Sequence, residues 1–278
     1  MPYDDCRLLH VSFDGGICRA TIDHPPINLL DAPLIGEIGR LTEQVGADDA
    51  VRVLIVDSAD PDFFIAHADV ELIQGLPTDD TSLHDELSPF HAFTEQFRTL
   101  PQATIAVIEG ICRGGGSEFA MAFDMRYAAL GRARFGQPEV AVGIIPGGGG
   151  TQRLPRLVGR GRALEVILGC MDVDAATADA WGYVDRALPA DELRRFVDTL
   201  AVRIASSPLE AISRAKRAVD AAIGDVTTGL RAEDQLFRDA LAQPVARERL
   251  QAILDAGAQT REFELGEISP ARARRRPD

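Results

Sequence analysis

Residues 7–23 alternate loosely between apolar and polar positions and carry Asp14-Gly15-Gly16 at their midpoint, a pattern that predicts a hairpin. His24-Pro25-Pro26 ends it. Asp31 is placed to cap a helix whose apolar positions Leu34, Ile35, Ile38, Leu41 and Val45 recur at helical spacing. Residues 51–56 (VRVLIV) and 103–108 (ATIAVI) hold few polar positions, as strands of a parallel sheet covered on both faces do. Between them the pattern predicts a short helix over 68–75, a mobile stretch over 77–84 (PTDDTSLH) and a helix stopped by Pro101. A glycine-rich stretch over 110–116 leads to a helix over 117–123. A third strand follows over 124–129, then a short extended piece at 133–135. Glycines 147–150 precede a helix from Thr151, and beyond about residue 160 the pattern is helical apart from one strand near 183–187.

Strand and helix alternate to about residue 190 and helices alone follow, which predicts an α/β core with a helical appendage. The division is 1–190 for the core, 191–262 for a helical C-terminal region of the same unit, and 263–278 for a tail. The tail's last nine residues, PARARRRPD, lack apolar positions and are expected to be disordered. Leu193, Phe196, Val197, Leu200 and Ile204 form an apolar helix face that must bury against the core or another subunit.

Composition narrows the function. The chain has 278 residues, with 29 Lys+Arg against 43 Asp+Glu and a net charge of −14, so a nucleic-acid partner is not expected. Lys216 is the one lysine, which confines Schiff-base chemistry to that position and leaves phosphate contacts to arginine. Cys6, Cys18, Cys112 and Cys170 form no C-x-x-C pair and have no metal-ligand spacing, so they read as reduced thiols of a cytoplasmic protein without a metal. The acidic N-terminus lacks the apolar region of a signal peptide, and no apolar run approaches the length of a membrane span, so no membrane partner is expected.

Candidate chemistry gathers at the glycines. Gly114-Gly115-Gly116 lies between a buried strand and a helix, where backbone N–H groups and the helix dipole suit an anion or a developing oxyanion. A plain tight turn is the alternative, and Glu118 beside the glycines favours function. Glycines 147–150 lack the Lys-Ser/Thr of a P-loop and the spacing of a dinucleotide fingerprint, so they read as a turn or an active-site wall. Glu118 and Glu139 are candidates for paired acid–base work, although two surface glutamates would give the same spacing. Ser117 lies outside a G-x-S-x-G elbow. With His67 or His91 as base it leaves a serine hydrolase as a rival reading.

The stretch 105–153, with FGQPE and IPGGGGTQR within it, resembles the crotonase, or enoyl-CoA hydratase/isomerase, family. So do Phe64-Ile65-Ala66-His67-Ala68-Asp69-Val70 and the HPPINLL segment from His24. The resemblance implies a spiral of ββα units with a helical C-terminal trimerisation region, and a homotrimer or homohexamer. It implies an acyl-CoA thioester substrate of fatty acid metabolism and no cofactor, coenzyme A being part of the substrate. It further implies an oxyanion hole donated by the backbones of Ala66 and Gly115, contacts to substrate from Ala66, His67, Ala68, Asp69 and Gly115, and Glu118 and Glu139 as the two catalytic carboxylates of a 2-enoyl-CoA hydratase. Isomerisation of 3-enoyl-CoA is the nearest alternative, and a silent acyl-CoA-binding homologue a third. Three departures stand out: His67 where the family usually has Gly, Arg113 at a usually apolar position, and a C-terminal REFELGEISP in which Phe263 and Arg261 are the candidates to hold coenzyme A. At position 67 an unusual φ, or an imidazole at the cavity mouth, is expected.

Overall fold

The structure, a computed structural model, describes residues 6–79, 82–224 and 226–266. The predicted hairpin is β1 (Leu9–Asp14) with β2 (Ile17–Ile22). Helix α1 (Ala32–Ala47) follows; Asp31 caps it by accepting the Leu34 N–H at 2.9 Å. Next come β3 (Val53–Ser58), β4 (Phe63–Ile65), α2 (Val70–Gln74) and α3 (Pro89–Arg98). The pattern repeats with β5 (Ala103–Ile108), β6 (Ile111–Arg113) and α4 (Gly114–Ala120). It repeats again with β7 (Met125–Ala129), β8 (Arg134–Gly136), a 3-10 turn at Glu139–Val142, α5 (Gly150–Val158) and α6 (Arg160–Gly169). After β9 (Val173–Asp174), α7 (Ala175–Trp181) and β10 (Arg186–Leu188), the chain is helical.

Each repeat sends its first strand to one sheet and its second to another. The larger sheet runs β1-β2-β3-β5-β7-β10 and is parallel from β2 onward. The smaller runs β4-β6-β8-β9. This is the ββα spiral that the family resemblance implies. Of the smaller sheet only β8 is foreshadowed, by the short extended piece expected at 133–135; its other strands, of two or three residues, are too short to show a period. The missed strand β9 pairs with β8 antiparallel.

Strands β3 and β5 are buried along their whole length, and their side chains divide by the two-residue period of a strand. Val53, Ile55, Ile105 and Val107 face Leu193, Val197 and Ala201 of α8 (Ala190–Ala205), and Leu54, Val56, Ala106 and Ile108 face the central core. The apolar face of α8 is therefore covered by its own sheet. Then follow α9 (Leu209–Ile223), α10 (Thr227–Leu241), α11 (Pro244–Asp255) and α12 (Arg261–Glu264). Helices α10 and α11 pack Phe237, Leu241, Ala246, Leu250 and Ile253 against Val70, Val142 and Ile144, and so fold back over the middle of the chain. Helix α12 crosses the expected boundary at 262/263. The expected mobility of 77–84 falls partly, and the expected disorder of PARARRRPD wholly, outside the described residues. Among the described residues no helix is long and apolar enough to cross a membrane.

Candidate active site

Helix α4 begins at Gly114 itself, not after the glycines as the pattern predicts. The triplet is thus the helix's first turn, whose N–H groups have no partner inside the helix. Gly114 takes φ +48°, and a Cβ on Gly115 would stand 2.7 Å from the Cβ of Ala68, so neither position admits a side chain without displacement. The other side of α4 is anchored by aromatic packing, with Phe119 5.4 Å from Phe93, 5.0 Å from Phe97 and 5.0 Å from Phe123. The glycine turn is therefore pressed against the segment 66–69 from a fixed base.

That segment is stitched to HPPINLL. The Ala66 N–H donates to the Ile27 carbonyl at 3.2 Å, Leu30 N–H to the His67 carbonyl at 3.0 Å, and Asp69 N–H to the Leu30 carbonyl at 3.1 Å. Asn28, at φ +51°, sends its amide to the Ser58 hydroxyl and the Phe63 and Phe64 carbonyls. The expectation that Ala66 donates to an oxyanion is therefore corrected: its N–H is already bonded and it packs among Ile27, Phe63 and Ile111. Ala68 is the residue of this segment that meets Gly115. Asp69 caps α2 by accepting the Glu71 N–H at 2.9 Å.

A cavity of about 60 Å³ opens at this contact. Its wall includes His67, Ala68, Gly114, Gly115 and Glu139, with Leu250 and Ile253 of α11 closing the far side. Ala66, Asp69 and Glu118 are not part of the wall. Glu118 lies behind, where its Oε1 accepts the N–H groups of Gly148 at 2.7 Å and Gly150 at 2.8 Å. The intervening N–H of Gly149 and that of Thr151, at 2.6 Å, go instead to Glu233 of α10. Glu233 also meets His91 Nε2 at 2.9 Å, and His91 Nδ1 meets the Ser88 hydroxyl at 2.9 Å. The second glycine cluster is thus a turn that fixes two carboxylates. Glu233 had one signal in the sequence, a carboxylate within the apolar stripe Leu230–Phe237 of an amphipathic helix.

Burial and the nearby Glu233 charge push the Glu118 carboxyl up to about 8, against the two N–H groups that favour its ionised form. Burial, and then the charge of Glu118, hold Glu139 well above the carboxylate range. The Gln137 amide, turned with its nitrogen toward Glu139, donates to both carboxyl oxygens at 3.1 and 3.3 Å. Two buried carboxyls that repel one another give up their protons in separate steps, so one can be ionised while the other keeps its proton, the condition for a base and an acid in one site.

The serine hydrolase reading fails here. Ser117 is fully buried and bonded to the Tyr183 hydroxyl at 2.6 Å, while His67 and His91 are bonded to glutamates. The departures from the family also find their partners. His67 does not lie at positive φ; its ring reaches Glu264 at 3.0 Å. Arg113 grips Asp172 through two bonds of 2.7 and 2.6 Å. Arg261 pairs with Asp60 and Asp62 and stacks over Phe63 at 5.3 Å, and Phe263 is buried. Lys216 is bonded to the Leu100 and Gln102 carbonyls and to Asp124.

A family model for enoyl-CoA hydratase/isomerase matches residues 12–260, so the chain belongs to that family of enzymes. It is 35% identical over 250 residues to a Rhizobium meliloti protein named "Probable enoyl-CoA hydratase", covering 89% of this chain and 95% of that one. It is 30% identical over 244 residues to the "Short-chain-enoyl-CoA hydratase" of Clostridium acetobutylicum, covering 87% and 92%. Among solved structures it superposes on a "putative enoyl-CoA hydratase from Streptomyces avermitilis" with a TM-score of 0.85 at 41% identity, covering 92% and 94%. The crotonase-like fold and an enzyme acting on a coenzyme A thioester follow from these likenesses.

Proposed function

We propose that the protein is a 2-enoyl-CoA hydratase, with the N–H groups of Ala68 and Gly115 as its oxyanion hole. The reading rests on one observation above the others: two buried carboxyls, Glu139 in the cavity wall and Glu118 behind it, lie beside the open first turn of a helix whose Gly114 and Gly115 line the same cavity. In the reaction, Glu118 as carboxylate takes a proton from water as the water oxygen bonds to C3. The C2–C3 π electrons move onto the thioester carbonyl, whose oxygen is held as an enolate by the two backbone donors. Glu139, protonated, then delivers its proton to C2 as the enolate collapses. The N–H bonds to Glu118 suit the base, and the stronger upward shift of Glu139 suits the acid. No cofactor is required, since the substrate carries coenzyme A. A trimer or hexamer is proposed with it.

One observation favours isomerisation as a second reading: Glu139 alone of the two lines the cavity, and a single carboxylate suffices to move a proton between carbons. A silent acyl-CoA-binding homologue is the third reading, and no turnover of either ester would favour it. Absorbance of the conjugated thioester decides between the first two. Loss on crotonyl-CoA supports hydration, and gain on a 3-enoyl-CoA with no loss on crotonyl-CoA would replace that reading by isomerisation.

A further inference from the structure

The two family departures nearest the site converge on one residue, His67 on the side chain of Glu264 and Arg113 on its backbone carbonyl. His67 immediately precedes Ala68, and Arg113 stands two residues before Gly115. The His67 Nε2 meets Glu264 Oε1 at 3.0 Å, and its Nδ1 meets the Ala68 carbonyl at 2.8 Å. Both ring nitrogens face acceptors, an arrangement that favours the doubly protonated ring. Burial opposes that charge, but Glu264 outweighs it and raises the imidazole's proton affinity; Glu264 is held low in turn. Arg113 completes the clasp from the other loop, donating to the Glu264 carbonyl at 2.9 Å and the Gly266 carbonyl at 3.0 Å. A third tie runs alongside. The Gln259 side chain accepts the Val70 N–H at 2.7 Å, and the Gln259 N–H donates to Glu264 Oε1 at 2.7 Å.

Glu264 is fully buried, and its other carboxyl oxygen has no hydrogen-bond partner among the described residues. Such a charge is costly to hold unless its geometry matters, and removing one partner of a buried pair leaves the other uncompensated. The segment it belongs to covers the cavity through Ala258, next to Gln259.

We propose that Glu264 is a positioning residue: its carboxylate holds the C-terminal segment onto the His67–Ala68 loop while the backbone carbonyls of that segment take Arg113 of the Gly115 loop, so that Ala68 and Gly115 are aligned only while the segment is docked. The proposal rests on the assignment of those two residues as donors. It departs from an oxyanion hole fixed by the α/β core alone: here residues nearly 200 positions downstream set its geometry.

The test compares wild type, Glu264→Gln, Glu264→Ala, His67→Gly and the double variant His67→Gly/Glu264→Ala, each checked for folding by circular dichroism. With crotonyl-CoA, Glu264→Ala is expected to lower kcat by roughly ten- to a hundredfold while KM changes by less than about threefold, because misalignment weakens the transition state more than binding. Glu264→Gln, which keeps an acceptor for His67, should lose less. The double variant should be no slower than the slower single variant, since the two residues act through one contact. Hydrogen exchange read by mass spectrometry should quicken in 66–70 and 113–117 but not in β3 and β5. Unchanged kcat and unchanged exchange in Glu264→Ala would overturn the proposal. So would exchange quickened uniformly over the whole chain, which is the mark of a merely structural residue. A wild type with no turnover would overturn the hydratase reading, and the localised exchange contrast would still support the clamp.

Discussion

The molecule has two glycine-rich turns, each leading into a helix, and they handle their N–H groups in opposite ways. In the turn at 114–116 the N–H groups belong to the open first turn of α4, beside the cavity. In the turn at 147–150 every N–H from Gly148 to Thr151 is taken by a carboxylate, alternately Glu118 and Glu233. Glycine content alone does not tell the two apart. What separates them is the second party. Glu118 projects from one turn's helix into the other turn, so the second turn binds the protein's own anions and leaves the first for a substrate's. A glycine cluster is thus a supply of close-approaching donors, and its use is decided by which acidic side chains reach it.

The largest effect expected from breaking this contrast is at Glu139. Glu139→Gln should lower crotonyl-CoA turnover by about 10²–10⁴-fold with ester binding retained, as measured by steady-state kinetics and calorimetric titration. A variant within a few-fold of wild type would remove the acid. Next, Gly115→Ala puts a methyl 2.7 Å from the Ala68 Cβ and forces the two donors apart. A loss of about 10²–10³ in kcat is expected. The matching change Gly148→Ala clashes with Phe90 and Glu118, so it should act on the base rather than on the oxyanion. Thermal melts distinguish either effect from unfolding.

Smaller shifts sharpen the same comparison. Glu233 raises the Glu118 carboxyl, so Glu233→Gln should move the acid limb of the pH–rate profile to lower pH. A limb that stays or moves upward would contradict the like-charge coupling. The smallest effect is on stability. Because Glu118 binds its proton more tightly folded than unfolded, its contribution is fully present below about pH 4.5 and is lost as pH rises toward about 8. Melting temperatures taken between pH 5 and 9 should therefore show Glu118→Gln gaining on wild type as pH rises. A difference constant with pH would show that the burial of Glu118 has no energetic consequence.

Much of this architecture was legible before any coordinates. The hairpin, α1 with its Asp31 cap, β3, β5 and α8 followed from apolar period and capping chemistry, because each is long enough to show a period and is buried on identifiable faces. Of the smaller sheet only β8 was legible, as the extended piece at 133–135, because its strands have two or three residues. Glu118, Glu139 and Gly115 were identified by motif; Gly115 and Glu139 line one cavity, and Glu118 lies behind its wall. The Ala66 N–H expected to serve as a donor is bonded to Ile27, since nothing in AHAD tells which N–H the HPPINLL segment will occupy. Glu233 and Glu264 lie far downstream, and only the fold brings them to the glycines. Arg113 and His67 looked like defects in a motif because their partners, Asp172 and Glu264, sit in segments with no signal of their own.

The central claim is that Glu118, held by the second turn, works on a substrate polarised by the first. Turnover of crotonyl-CoA by Glu118→Gln, with wild type alongside and absorbance of the conjugated thioester as the readout, tests it most directly. The account predicts hydration by wild type and a fall of about 10²–10⁴-fold in the variant, with the ester still bound. Hydration by Glu118→Gln at the wild-type rate would contradict it.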